Sequence, residues 1–154
     1  MTYNDGQRWV ATISSVVTEL VIEHRHNEET LRRFFEKVDY GFEATDCHIW
    51  TGALSDEGYG VFSIGPALTR KVVRAHRVRY IWAYGEPPEE TPFLDHATTC
   101  IGRFCLNLTH LEPVDNAENQ RRRTNVGKSE QRTLRSMELA LRDERRAQGE
   151  DGVF

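Results

Sequence analysis

Residues 94–119 read LDHATTCIGRFCLNLTHLEPVDNAEN, and this window carries most of the chemistry of the chain. Asp95 directly precedes His96. Cys100 and Cys105 follow with four residues between them, and His110 comes five residues after Cys105. Asp115 with Glu118 three residues on is a capping-box pattern, in which the cap side chain takes an orphan N–H of the first turn. A helix is therefore expected to start at about 115, with Asn119 just over one turn in. An isolated Asp-His pair or C-x4-C is a weak sign; their succession in one short stretch points to metal chemistry.

With Cys47 the cysteines number three. A disulfide framework needs pairs, so an odd count leaves a thiol over. Three thiolates and one imidazole make a closed tetrahedral zinc site of the structural kind. His110, His48 and His76 are the candidate fourth ligands, and three buried thiols without metal are the plain alternative.

Outward from the window, residues 8–24 carry Val10, Ile13, Val17, Leu20 and Val21 at helical spacing. Asn27 can cap a second helix with Leu31, Phe34, Phe35 and Val38 on one face. The chain then changes character. Trp50-Thr51-Gly52, Asp56-Glu57-Gly58 and Tyr59-Gly60-Val61-Phe62 read as strand, turn and strand, and Lys71-Val72-Val73 as a third strand. Ala75 to Tyr84 has helical spacing and stops at Gly85. Residues 92–114 read as loop and short strand. A last helix is expected from about Ser129 to Ala147, with Leu134, Met137 and Leu141 on one side. Trp50, Tyr59 and Phe62 are expected in the core, and His76 as a packed helix residue.

The 154 residues suit one domain-sized unit. No apolar stretch approaches the ~20 residues of a membrane span, and MTYNDGQRW does not read as a secretory leader. Three thiols in such a chain fit a reducing compartment. The formal net charge is -4, which counts against a nucleic-acid partner, but the distribution is uneven. Residues 1–46 hold 5 Lys/Arg against 9 Asp/Glu, whereas residues 47–124 hold 9 of each. Arg70, Lys71, Arg74, Arg77 and Arg79 form one basic run and Arg121, Arg122 and Arg123 another. Such clusters can hold phosphates on an acidic chain, or can be solvated faces.

The window resembles the HNH (ββα-metal, or His-Me finger) endonucleases of the phage and homing type, whose pattern runs roughly V-D-H, C-x4-C-x-N-P-x-H-L-E, then E-N. Upstream, Cys47-His48-Ile49-Trp50-Thr51-Gly52 resembles the family's C-x-x-W-T-G opening. Gly58-Tyr59-Gly60 and Ala75-His76-Arg77-Val78 resemble its G-Y-G and A-H-R-V landmarks. The resemblance covers about residues 47–120. Leu108 departs from it, standing where the family commonly has proline.

The resemblance implies an α+β chain: a ββα-metal finger core with a small antiparallel sheet, flanked by N- and C-terminal helices. The segments are then a helical hairpin over 1–46, a nuclease core over 47–124 and a C-terminal helix and tail over 125–154. It implies metal-dependent hydrolysis of phosphodiester bonds in double-stranded DNA. His96 is the general base, its reference pKa lying near neutrality. Asp95 and Asn119 are oxygen ligands to a catalytic Mg2+ or Mn2+. Neighbouring strand residues point to opposite faces, so a bent backbone is needed for Asp95 and His96 to meet one phosphate. Arg70 or Arg74 is expected at the scissile phosphate, Arg70 being the first choice, and Arg70, Lys71, Arg74, Arg121, Arg122 and Arg123 along the DNA backbone. Cys47, Cys100, Cys105 and His110 are the structural zinc set, His110 being favoured by its spacing in zinc-bearing His-Cys box relatives. Asn107 is expected to hold the loop backbone and prop His96. The expected setting is the cytoplasm of a bacterial host, the gene being bacterial or phage-encoded, with the terminal helices offering a homodimer surface. The rival readings are a catalytically silent zinc-stapled DNA-binding module and a protein-interaction module of phage origin.

Overall fold

Asn27 separates the first two helices, as its side chain predicts. The computed structural model describes residues 16–97, 100–122 and 128–151. Helix α1 is seen over 16–23, and α2 runs Glu28–Phe35. The Asn27 Oδ1 accepts from Thr30 N at 3.0 Å, satisfying one of the N–H groups a helix start leaves over. Glu28 and Glu29 sit in the first turn of α2 and Arg32 and Arg33 near its end, each sign matching the helix dipole.

The helix stops one residue past Phe35, which corrects the expectation for Val38. Val38 lies not on a helix face but in strand β1 (Val38–Asp39), opposite Trp50 of β2 (Ile49–Trp50). The Lys37 carbonyl accepts from Thr51 N at 2.7 Å, drawing the chain out of the helix and into the pairing. Strands β3 (Val61–Ile64) and β4 (Lys71–Arg74) form an antiparallel hairpin, and α3 (Ala75–Tyr84) follows without a break, ended at Gly85 with φ +85°. Strand β5 (Phe93–His96) pairs antiparallel with β6 (Leu111–Val114), setting Asp95 opposite Glu112. The chain between them contains a short 3-10 turn at Leu108–His110. Helix α4 (Asn116–Arg121) follows β6 directly, with Asp115 capping it through Glu118 N at 2.7 Å. Helix α5 spans Lys128–Ala147. The chain is thus α+β, with small antiparallel sheets among helices.

The core is built on Phe34. Its ring lies 4.9 Å from Trp50, 5.2 Å from Phe62 and 5.0 Å from Trp82, all in tilted or edge-on arrangements that aromatic quadrupoles prefer. Val21 and Phe34 from the first segment join Ile49, Trp50, Ile64, Val78, Ile81, Phe104 and Leu106, and Leu139 of α5 packs on the outside. The three segments drawn from the sequence therefore share one hydrophobic cluster. Two glycines of the landmark motifs make room for Trp50. A Cβ at Gly52 would lie 2.8 Å from the indole nitrogen, and one at Gly60 would lie 2.6 Å from Cδ1.

Helix α5 is mounted by polar contacts. Arg135 donates to the carbonyls of Trp50 and Gly52, and the almost fully buried Arg142 donates to the Cys47 carbonyl at 2.7 Å and to Asp39. Its apolar residues Leu134, Met137 and Leu141 stay largely exposed. Among the described residues no helix is long and apolar enough to cross a membrane.

Phe34→Ala should empty the centre of the aromatic cluster and lower stability by about 3–5 kcal/mol. Urea unfolding followed by tryptophan fluorescence checks this: the midpoint should fall with little change in the slope.

Candidate metal centre and the adjoining cleft

Four side chains from distant parts of the sequence meet beside β2. The ligand atoms of Cys47, Cys100, Cys105 and His110 all lie within 4.8 Å of one another. The Cys47 Sγ is 3.5 Å from Cys100 Sγ, and His110 Nδ1 is 3.6, 3.8 and 3.4 Å from Cys47, Cys100 and Cys105. A tetrahedron with Zn–S bonds near 2.3 Å has edges of roughly 3.8 Å, so these separations suit a metal such as zinc, and the cluster could bind one. His48 and His76 are not part of this group; His110 is the fourth member.

The surroundings favour a single thiolate, at Cys47. The Ile101 N–H points at Cys47 Sγ (3.4 Å) and the Asn107 N–H at Cys105 Sγ (3.5 Å). Hydrogen bonds from Cys100 and Cys105 pull the Cys47 thiol well down, while contacts with Cys105 and Cys47 push the Cys100 thiol up. One negative charge is welcome in the cluster and further ones need a cation. Asn107 braces the cluster from the inside. Its Nδ2 donates to the carbonyls of Ala44 (3.0 Å) and Asp46 (2.7 Å), and its Oδ1 accepts from Thr109. It ties the approach to Cys47 to the loop before β6, so the group it holds in place is the cluster.

The same loop shapes an adjoining cleft of about 560 Å³, lined among others by Tyr59, Arg74, Asp95, His96, Arg103 and Asn119. Asp95 and His96 face it together despite being strand neighbours, because they sit at the end of β5, where Asp95 Oδ1 accepts from His96 N at 2.9 Å. The His96 Nε2 lies 2.9 Å from the Cys105 carbonyl. A carbonyl can only accept, so Nε2 carries the proton and Nδ1 is the basic nitrogen. Burial pushes the His96 pKa below its ordinary value, so near neutral pH the ring is an uncharged base. The Asp95 Oδ2 is buried without a hydrogen-bond partner, a costly state for a carboxylate oxygen. The Arg122 guanidinium stands 3.6 Å from it and pairs more closely with Glu112 (2.8 Å) and Glu118 (2.7 Å).

Several expected residues fall elsewhere. Arg70 and Lys71 are exposed at the far end of the β3–β4 hairpin. At ~3.3 Å per residue, Arg70 is about 13 Å along the strand from Arg74. Arg74 lines the cleft and Arg70 does not, so of the two expected arginines the strand brings Arg74 to the cleft and leaves Arg70 away from it. Arg121 is exposed and paired with Glu118, and Arg123 lies outside the described residues. Tyr59, expected in the core, is half-buried and forms the cleft wall. Its ring stacks on the buried His76 at 5.4 Å, and His76 in turn lies 5.0 Å from His96. Arg103 and Gln131 line the cleft without having been singled out, and Leu134, read only as part of an apolar helix side, joins them. For Arg103 a signal existed, since it sits between Cys100 and Cys105 and must follow the loop they shape. For Gln131 and Leu134 the helix register of α5 says nothing about what the helix packs on.

Purified protein should carry one zinc per chain, and Cys100→Ser or Cys105→Ser should lose both metal and fold. Elemental analysis with circular dichroism checks this: a few hundredths of an equivalent of zinc in protein never exposed to chelator, or a fully folded serine variant, would count against the site.

No protein-family model matches the chain, and neither a curated protein nor a solved structure matches it.

Proposed function

We propose that the chain is a metal-dependent DNA endonuclease in which β5, β6 and α4 act as an HNH-type finger stapled by zinc at Cys47, Cys100, Cys105 and His110. The observation that carries this reading is the joint presence of Asp95, His96 and Asn119 in one cleft, with His96 held as a neutral base.

The residues fit a hard dication. The Asp95 Oδ2 is buried and makes no hydrogen bond, with Arg122 3.6 Å away, and Asn119 adds a neutral amide oxygen donor from α4, where a second carboxylate would repel the phosphate. Asp95 and Asn119 would hold Mg2+ or Mn2+, which prefers oxygen ligands and retains waters. Bound there, the cation would offset phosphate charge and favour departure of the 3′ oxygen. His96 Nδ1 accepts a proton from the attacking water while Nε2 stays anchored on the Cys105 carbonyl. Burial keeps the ring uncharged and ready for that transfer. Arg74, on the same wall, balances the charge of the incoming phosphate; a guanidinium suits this better than an ammonium. One such site cuts one strand, so cutting both requires a homodimer or successive nicks.

A second reading draws on Arg122, whose guanidinium already stands near Asp95. A chain that keeps a side-chain cation there would be a silent zinc-stapled DNA-binding module. Plasmid relaxation with magnesium, manganese and EDTA arms separates the two, because a silent module relaxes no plasmid in any arm.

His96→Ala should reduce nicking by ~10² to 10⁴-fold with zinc content unchanged, the usual size for loss of a general base. Wild-type rates in that variant would remove His96 from the chemistry. Asn119→Ala should lose magnesium-dependent nicking and keep zinc; an unchanged maximal rate and magnesium midpoint would show it to be a bystander.

A further inference from the structure

We propose that the β3–β4 hairpin is a second DNA contact, outside the cleft, in which Leu68 at the tip parts a base step from the minor groove while Arg70 and Lys71 take the flanking phosphates. The inference rests on the nuclease reading only in naming DNA as the partner.

Three observations converge on the hairpin. Between Glu57 and Glu86 the chain has no acidic residue and five basic ones, Arg70, Lys71, Arg74, Arg77 and Arg79, although its net charge is -4. Arg70 and Lys71 are exposed at the end of the hairpin, and neither pairs with an acidic group among the described residues. Other exposed arginines of the chain do pair: Arg32 stands between Glu29 and Glu36, and Arg74 is held by Glu57. Finally, Leu68 sits at the tip and is 100% exposed. The turn that carries it closes through Thr69 N, which donates to the Pro66 carbonyl at 3.0 Å. Turns ordinarily use Gly, Asn, Asp or Ser, and a fully exposed leucine adds nothing to packing. Val72, four residues on, is 65% exposed as well.

The hairpin is anchored at its base. Ile64 and Val73 are buried, the strands pair from Val61↔Arg74 to Ile64↔Lys71, and a Cβ at Gly65 would stand 3.4 Å from Leu20 of α1. The tip is thus carried at a set place relative to Arg74, which ends the same strand and lines the cleft. Arg70 is about 13 Å along the strand from Arg74, a reach of roughly four base pairs at about 3.4 Å each. An apolar side chain set among cations is how proteins enter the minor groove and kink a duplex: the cations hold the phosphates and the wedge unstacks one step. A protein partner would call for a contiguous apolar patch, on the order of several hundred Å². Here Thr69, Arg70 and Lys71 separate Leu68 from Val72, which suits a single wedge on a polyanion.

The test separates wedge from cations. Duplex binding is measured by fluorescence anisotropy across a salt series, with calcium in place of magnesium, and bending by energy transfer between dyes on the two duplex ends. Leu68→Ala should weaken binding about 10-fold, the loss expected for one buried leucine, with the salt slope unchanged and the bend lost. Arg70→Gln and Lys71→Gln should each lower the slope of log K against log salt by about 0.9. All three positions are exposed, so zinc content and melting temperature should match the wild type. Wild-type affinity and bending in Leu68→Ala, or an unchanged slope in both glutamine variants, overturns the proposal and leaves the nuclease reading standing. The same holds if Arg25→Gln, on the exposed turn after α1, lowers the slope as much as Arg70→Gln, since overall charge would then explain it. A protein that sediments as a dimer and becomes a monomer in Leu68→Ala assigns the tip to a second copy and overturns the proposal. Failure of the wild type to bind duplex at low salt overturns both readings.

Discussion

The convergence of Cys47, Cys100, Cys105 and His110 is the constraint on which the cleft depends. Residues 100–110 connect two short strands; Phe104 and Leu106 bury in the core, and the four clustered side chains gather the segment around them beside Cys47. The cluster ties that loop to β2, and backbone bonds then follow in register: Trp50 N to the Phe104 carbonyl and Leu106 N to the His48 carbonyl. Once Cys105 is placed, its carbonyl sets the tautomer of His96. Once both Cys100 and Cys105 are placed, Arg103 has little choice of direction. Structural metal sites contribute their binding energy to folding, so here the staple and the chemistry would be coupled through two backbone positions of one loop.

Helix α5 takes part in this arrangement by an unusual route. Most helices dock by an apolar stripe, yet here Met137 and Leu141 are exposed while Gln131, Arg135 and Arg142 face inward. Buried arginines are costly unless fully hydrogen-bonded. Each of these finds backbone carbonyls that the short strands leave over, and Arg142 takes that of Cys47 itself. The two-residue strands β1 and β2 have too few neighbours to satisfy their own carbonyls, so a polar helix face completes them. The Cys47–Cys100–Cys105–His110 cluster and helix α5 therefore both hold the segment around β2.

Legibility in the sequence followed the range of the interaction. Local signals read correctly: Asn27 and Asp115 as caps, Gly85 as a helix stop, and the spacing of Cys100, Cys105 and His110 as side chains that meet in one cluster able to hold a metal. Cys47 could be joined to them only because no disulfide partner balanced an odd count. Long-range placement did not read out. Val38 carries a helical position in the pattern, but its pairing with Trp50 prevails because cross-strand packing decides at a helix end. Arg70 and Arg74 are equivalent as letters, and only the register of β3 with β4 determines which one reaches the cleft. Tyr59 looked like core because its neighbours Trp50 and Phe62 are; it lies two positions before the strand that would have buried it.

Arg122 bears on how the cleft can change state. It is shared among Glu118, one turn back on α4, Glu112 on β6 and Asp95 on β5, and Asp95 receives the longest of the three contacts. Ion pairs that retain access to water are weak, because solvent screens them. On the proposed nuclease reading, a dication held by Asp95 would carry twice the charge of a guanidinium and would compete with Arg122 for that one carboxylate while the arginine keeps the other two. The side chain then has two stable partners whether or not the cation is present. The asymmetry of the contacts, short to Glu112 and Glu118 and long to Asp95, is the arrangement expected of a residue that neutralises an acidic site without closing it.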